Sequence, residues 1–345
     1  MHRLSLCALG LLSSFGLLGA SVAQAAITFS VDFDDPLNQL ATVAAQVEQH
    51  VVAAGQRWAG YLEGDGSIEV VVRTSTSIPF AEGRSTTNSF VHTNGTFNVF
   101  EQGMTAEIRT GTDPNGALPD VEILLNPDYA VNELWYDPQP FVRVATVDIN
   151  RTDALSTFLH EFGHALGFSG WIDGLNGTFP GDYQSTFDEQ IDFDGTDFFF
   201  GGPEATVVNG TAPPLTYTNV FHVANFSPRP GENLLYDVMN GLLFYRGYRY
   251  DISALDLAML RDAGVPIVEL AGDFDLDGDV DGRDFLIWQR GGSQNPLSGG
   301  DLVAWQANYG ASSSVAASTV VPEPGLVAWG AALMAVCFAQ RRRIC

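Results

Sequence analysis

The chain has 345 residues, 46% hydrophobic and 17% charged, which suits one substantial globular domain with a small accessory module and excludes a disordered polypeptide. Its 41 acidic residues outnumber 16 basic ones, all arginine, for a formal charge of −25. Such a surface lacks the positive footprint that nucleic-acid binding requires and favours divalent cations instead.

Residues 1–25 have the three parts of a secretory signal: Arg3, an apolar core from Leu4 to Ala20, and a small-residue cleavage site at Ala23-Gln24-Ala25. Cysteine occurs only at Cys7, Cys337 and Cys345. The processed, exported domain would therefore have no disulfide, and core burial and bound metals must hold it together.

Beyond the signal, Leu37, Leu40, Val43, Val47, Val51, Trp58 and Leu62 predict a helix over 34–62, interrupted at Gly55. The β-branched run at 68–72 predicts a buried strand. The Gly-, Thr- and Asn-rich stretch 80–118 reads as strands joined by long loops, with further strands at 121–125 and 141–147.

The segment 150–166 is the most informative. Leu155, Phe158, Leu159, Phe162 and Leu166 form one apolar helical stripe, and His160 and His164 fall on the opposite face, one turn apart. Two imidazoles at i and i+4 can reach one tetrahedral zinc ion, and Glu161, rotated off that face, is placed to act as general base on a zinc-activated water. Two protein ligands leave zinc under-coordinated. Of the other histidines, His2 leaves with the signal, and His50 and His92 fit surface or core positions. His222 is the only one downstream of the helix.

HEFGHALGF at 160–168 resembles the start of the metzincin motif HExxHxxGxxH. The resemblance implies that Gly167 ends the helix in a left-handed conformation so that a third histidine can return to the metal. That histidine would stand at position 170, which is Gly170 here. Leishmanolysin-type metzincins carry an insertion at this point. Residues 168–221 resemble such an insertion, which would deliver His222 as third ligand. Tyr236-Asp237-Val238-Met239-Asn240-Gly241 is similar to the metzincin Met-turn, implying that Met239 lies beneath the ligands. A gluzincin-like alternative would use Glu189, in Phe187-Asp188-Glu189-Gln190, as the third ligand. Tyr245 and Tyr248 follow the turn and could assist the transition state, though core positions suit them better. Ser253 and Asp256 form a capping box for a helix to Ala263, which Gly264 and Pro266 stop.

Asp273, Asp275, Asp277, Asp281 and Asp284 occupy positions 1, 3, 5, 9 and 12 of an EF-hand-like calcium loop, with Gly278 at the turn and Asp279 offering its backbone carbonyl. The last ligand is Asp rather than Glu, as in dockerin loops. Asp284-Phe-Leu-Ile-Trp288-Gln289 recurs 17 residues later as Asp301-Leu-Val-Ala-Trp305-Gln306, resembling the paired helices of a dockerin. The second copy lacks an acidic loop, so cohesin binding is not expected, and a packing or surface-attachment module fits better. Residues 311–320 read as a linker. Val321-Pro322-Glu323-Pro324, a 15-residue apolar run from Gly325 to Ala339 and Arg341-Arg342-Arg343 resemble a PEP-CTERM sorting tail, implying an exosortase-type partner and a bacterial cell-surface or secreted destination.

Together these features predict an α+β protein. A zincin-like, metzincin-type domain over 26–268 has a twisted mixed sheet, an active-site helix and an irregular lower half carrying His222 and Met239. A dockerin-like calcium module follows over 269–310 and the sorting segment over 321–345. The expected activity is zinc-dependent hydrolysis of peptide bonds in a protein or peptide substrate. The alternative is a non-catalytic, calcium-dependent surface or adhesion protein that keeps the zincin fold. An intact Glu161 argues against it.

Overall fold

The computed structural model describes residues 27–275, 278–293 and 295–311. The signal, the sorting tail and Asp277 of the acidic loop lie outside them. The architecture is α+β, with sheets of mixed direction.

The chain opens with strand β1 (Ile27–Asp34) and helix α1 (Ala44–Ala59), then β2 (Gly66–Thr74), β3 (Ala81–Ser85), β4 (Asn88–Thr93) and β5 (Asn98–Gln102). Helix α2 (Gly103–Thr110), β6 (Val121–Leu125), and the short β7 (Leu134–Trp135) and β8 (Thr152–Asp153) lead into α3 (Ala154–Leu166). After it come β9 (Tyr183–Ser185), β10 (Ile191–Phe193), β11 (Phe198–Phe200), α4 (Pro203–Asn209) and α5 (Ala254–Asp262). The last described elements are α6 (Gly282–Gln289) and α7 (Gly299–Asn308).

The main sheet has the order β1-β2-β6-β3; the first three strands are parallel, and β3 runs antiparallel at the edge. Parallel β1 and β2 require a crossover, which α1 supplies. Helix α3 packs against α1 and β3. Its stripe of Leu155, Phe158, Leu159, Phe162 and Leu166 is buried, and the buried Trp58 of α1 donates its indole N–H to the Leu159 carbonyl at 2.9 Å. Burial of that stripe fixes α3 in rotation and leaves its polar face turned away from the core. A second sheet, β4-β5-β9, and the β10–β11 hairpin flank this body. The stretch 168–221 is thus structured, around the buried Phe187, Phe198 and Phe200.

Four expectations change. Residues 34–43 are not helical; the strand β1 runs through Asp34, and Asp35 turns the chain by accepting the Gln39 and Leu40 N–H groups. Gly55 does not interrupt α1, because it is where the ring of Phe29 crosses the helix, 2.6 Å from a hypothetical β-carbon. Residues 141–147 form turns rather than a strand. Arg249 donates to the carbonyls of Arg143 and Ala145, both at 2.6 Å, and Phe141, Val142 and Val144 are exposed. The helix expected from 150 begins at 154, where Asp153 caps it through Ser156 N–H. The capping box of Ser253 and Asp256 is present at the start of α5.

At the C-terminal end, α6 and α7 pack through Phe285 and Trp305, with ring centroids 4.8 Å apart. No helix among the described residues is long and apolar enough to cross a membrane.

Candidate metal centre

Helix α3 carries His160 and His164 on its polar face, and the chain returns His222 to them from beyond α4. The Nε2 atoms are 3.1 Å apart for His160 and His164, 3.1 Å for His160 and His222, and 3.0 Å for His164 and His222. Each Nδ1 faces a backbone carbonyl: Val238 for His160 and Phe168 for His164, both at 2.7 Å, and Asn219 for His222 at 3.3 Å. A carbonyl oxygen can only accept, so each Nδ1 holds the ring hydrogen and each Nε2 presents a lone pair. The three Nε2 contacts therefore cannot be hydrogen bonds. They are three converging acceptors, which repel one another unless a cation lies among them.

The electrostatics agree. Burial, then the neighbouring His164, lowers His160 to about 3. Burial lowers His164 as well. His222 is pushed well below the ordinary value by burial and by the other two rings. All three are thus neutral near pH 7, the state a metal ligand needs.

Glu161 is buried beside His160. Burial raises its carboxyl to about 8, against the opposing effect of a hydrogen bond from the Gly83 backbone on β3. A nearby cation would favour the charged form. Among the residues sequence reasoning missed is Phe244, whose ring meets His160 edge-on at 5.5 Å. Tyr245 and Tyr248, expected in the core, are 38% and 41% exposed and lie against Tyr236 on the surface.

The competing residues are placed elsewhere. Glu189 accepts hydrogen bonds from His92 Nε2 at 3.2 Å and Asn94 Nδ2 at 3.0 Å, away from the three imidazoles. His50 is a core residue, donating to Gln46 O and accepting from Asp137 N–H. Gly167 does not adopt the expected left-handed conformation: its φ is −175°. A β-carbon there would stand 2.7 Å from Leu260 of α5, so a side chain at this position would force Leu260 to shift. The turn that follows delivers the Phe168 carbonyl to His164.

Met239 is fully buried under α3. Its turn is tied to the strand-like segment after His222, with Val223 N–H donating to Met239 O at 3.0 Å and Gly241 N–H to Val223 O at 3.1 Å. The same turn holds His160 through Val238.

In the acidic loop, the carboxylates of Asp273, Asp275 and Asp284 form one group that could hold a metal, and those of Asp279, Asp281 and Asp284 a second. Asp279 thus brings its carboxylate to the cluster, where only its carbonyl was expected. Buried Asp284 organises the loop: it accepts from Phe274 N–H at 2.6 Å, Asp275 N–H at 3.2 Å and Asp281 N–H at 2.7 Å. Gly278 has φ +87°, as the loop turn requires.

No protein-family profile, curated protein or solved structure matches the chain significantly.

Proposed function

We propose that this chain is an exported zinc-dependent endopeptidase of the metzincin type, in which His160, His164 and His222 hold the metal and Glu161 is the general base. The observation that carries the reading is the convergence of three Nε2 lone pairs within 3.1 Å, each ring fixed by a carbonyl at Nδ1. The donor set fits zinc: Zn–N bonds of about 2.0–2.1 Å in a tetrahedron place ligand nitrogens roughly 3.3 Å apart. Imidazole nitrogen also suits zinc and disfavours calcium or magnesium. Three protein ligands are the number that leaves a catalytic position open.

When bound, zinc supplies Lewis-acid polarisation of a water molecule and of the scissile carbonyl. Glu161 would take the proton from that water and return it to the leaving amine. Its burial keeps bulk solvent from competing for that proton. Strand β3, at the sheet edge and packed along α3, suits an extended peptide substrate, which could add to it as a further strand. Met239 supports the ligands as the Met-turn of this reading.

The acidic loop before α6 would hold calcium, its donors being carboxylate oxygens. The leader and the VPEP-containing tail would direct export and surface sorting with an exosortase-type partner.

The test compares casein or gelatin cleavage by the untreated protein, the chelator-treated protein and Glu161→Ala. Loss of activity in the last two, with zinc retained by the variant, supports the assignment. Equal activity in all three overturns it.

A further inference from the structure

We infer that Glu107, Asp113 and Asp120 form a third cation site, for a divalent ion of the calcium class, separate from the histidine cluster and from the acidic loop. The three side chains come from the end of α2, the loop after it and the residue before β6, and bring carboxylate oxygens within 4.8 Å of one another. Glu107 and Asp120 are only 3% and 1% exposed. One oxygen of each is used by the start of β2: Ser67 N–H donates to Glu107 Oε1 at 2.8 Å, and Glu69 N–H to Asp120 Oδ2 at 2.9 Å. The remaining oxygens, Glu107 Oε2 and Asp120 Oδ1, are buried and without a hydrogen-bond donor.

Two buried carboxylates facing each other cannot both stay ionised without a counter-charge. The basic side chains do not supply it, because none of the ion pairs among the described residues involves Glu107 or Asp120. Asp113 closes the group from the solvent side, its Oδ1 held by Asn115 N–H at 2.8 Å and Gly116 N–H at 2.7 Å. An all-oxygen, all-carboxylate donor set with an open outer side selects a hard cation that keeps some water.

Such an ion would tie the loop 111–120 to the first residues of β2, a cross-link of the kind that a cysteine-free body cannot obtain from disulfides. It would also steady α3 at a distance. Thr105, two residues before Glu107 on α2, donates its hydroxyl to the Leu166 carbonyl at 2.5 Å, at the C-terminal end of the histidine-bearing helix.

The experiment titrates calcium into the full-length protein carrying Asp273→Asn, Asp275→Asn and Asp284→Asn, which disable both carboxylate groups of the acidic loop, by calorimetry, and follows thermal unfolding with and without calcium. One calcium ion should remain bound and raise the unfolding temperature. Asp113→Asn, at the exposed rim, should weaken that binding by roughly tenfold or more, since affinity follows ligand charge. Glu107→Gln should abolish it. Disappearance of all calcium binding with the loop substitutions overturns the inference, as does an unchanged affinity in Asp113→Asn. A Glu107→Gln protein whose unfolding temperature shifts while its calcium titration does not also overturns it, and identifies a carboxyl pair that shares one proton.

Discussion

Met239 and Gly163 are in direct contact: the methionine side chain lies where a β-carbon on Gly163 would be, 2.9 Å from its methyl group and overlapping its sulfur. Gly163 stands between the two histidines of α3, so the floor of the candidate centre is a glycine-to-thioether contact with no spare volume. Gly163→Ala must displace the Met239 side chain. It should destabilise the protein by about 1–3 kcal/mol, as overpacking of a fully buried site does, and weaken metal retention because Val238 O orients His160. Denaturant unfolding and metal content after dialysis would check both. An alanine variant with unchanged stability would show that the turn is free to move.

His222→Gln removes one of three nitrogens that come from two distant stretches of chain. Purified variant should carry well under half the zinc of the parent, and its far-ultraviolet circular dichroism should match, because His222 lies outside the helices and the main sheet. Full zinc occupancy in the variant would exclude His222 from the ligand set. Glu189→Gln serves as the comparison: with its carboxylate engaged by His92 and Asn94, it should leave zinc content unchanged.

His50 provides a pH signature independent of the metal. Its Nδ1 donates to Gln46 O and its Nε2 accepts from Asp137 N–H, an arrangement open only to the neutral ring. Burial lowers its pKa below the ordinary 6.5. The unfolded chain therefore takes up a proton that the folded state refuses, and this contribution to stability, complete above pH 6.5, is lost as pH falls through 6.5 towards the lowered value. His50→Gln should be less stable than the parent at pH 7.5, with the gap narrowing at pH 5.5. Urea denaturation at the two pH values measures this, and a constant gap would refute it.

Arg249 holds the 137–145 segment through the Asp137 carboxylate at 2.9 Å and the carbonyls of Arg143 and Ala145. Asp137 is 3% exposed, so Arg249→Met leaves a buried carboxylate without its cation. The cost should be about 3 kcal/mol, with faster proteolysis between residues 138 and 149. A variant cut no faster than the parent would show that the segment is held by other means.

In the C-terminal module, Trp288 donates to Ser298 O at 2.9 Å and Trp305 to Asp281 O at 2.6 Å, which ties both indoles to the acidic loop and its partner helix. Calcium added to chelator-treated protein should change tryptophan fluorescence, and Asp284→Ala should abolish the change. A response that persists in Asp284→Ala would place the calcium effect elsewhere.

Much of this was legible in the residues. An i, i+4 histidine pair opposite an apolar stripe can only project from one helix face, so His160 and His164 followed from periodicity alone. His222 was singled out as the sole histidine beyond the helix, but its role as third ligand came from the resemblance to an insertion-bearing metzincin, with Glu189 as the alternative. The partners that orient the rings were invisible, because Val238, Phe168 and Asn219 act through carbonyls that every residue possesses. Strand β1 was not among the predicted elements although Ile27, Phe29, Val31 and Phe33 alternate, and the apolar spacing at Leu37 and Leu40 placed the start of the helix too early. Residues 141–147 have the composition of a strand, yet the distant Arg249 takes the carbonyls of Arg143 and Ala145 that a neighbouring strand would need. Glu107 and Asp120 carry no motif spacing; two strand-start N–H groups and a helix end bring them together.

The three carbonyls behind the imidazoles have a kinetic consequence. With each ring's tautomer already selected and each ring already aimed, an arriving ion meets a finished receptacle and displaces no proton from the imidazoles in the neutral range. Capture should then proceed at a speed set by diffusion and ion dehydration, without a slow rearrangement afterwards.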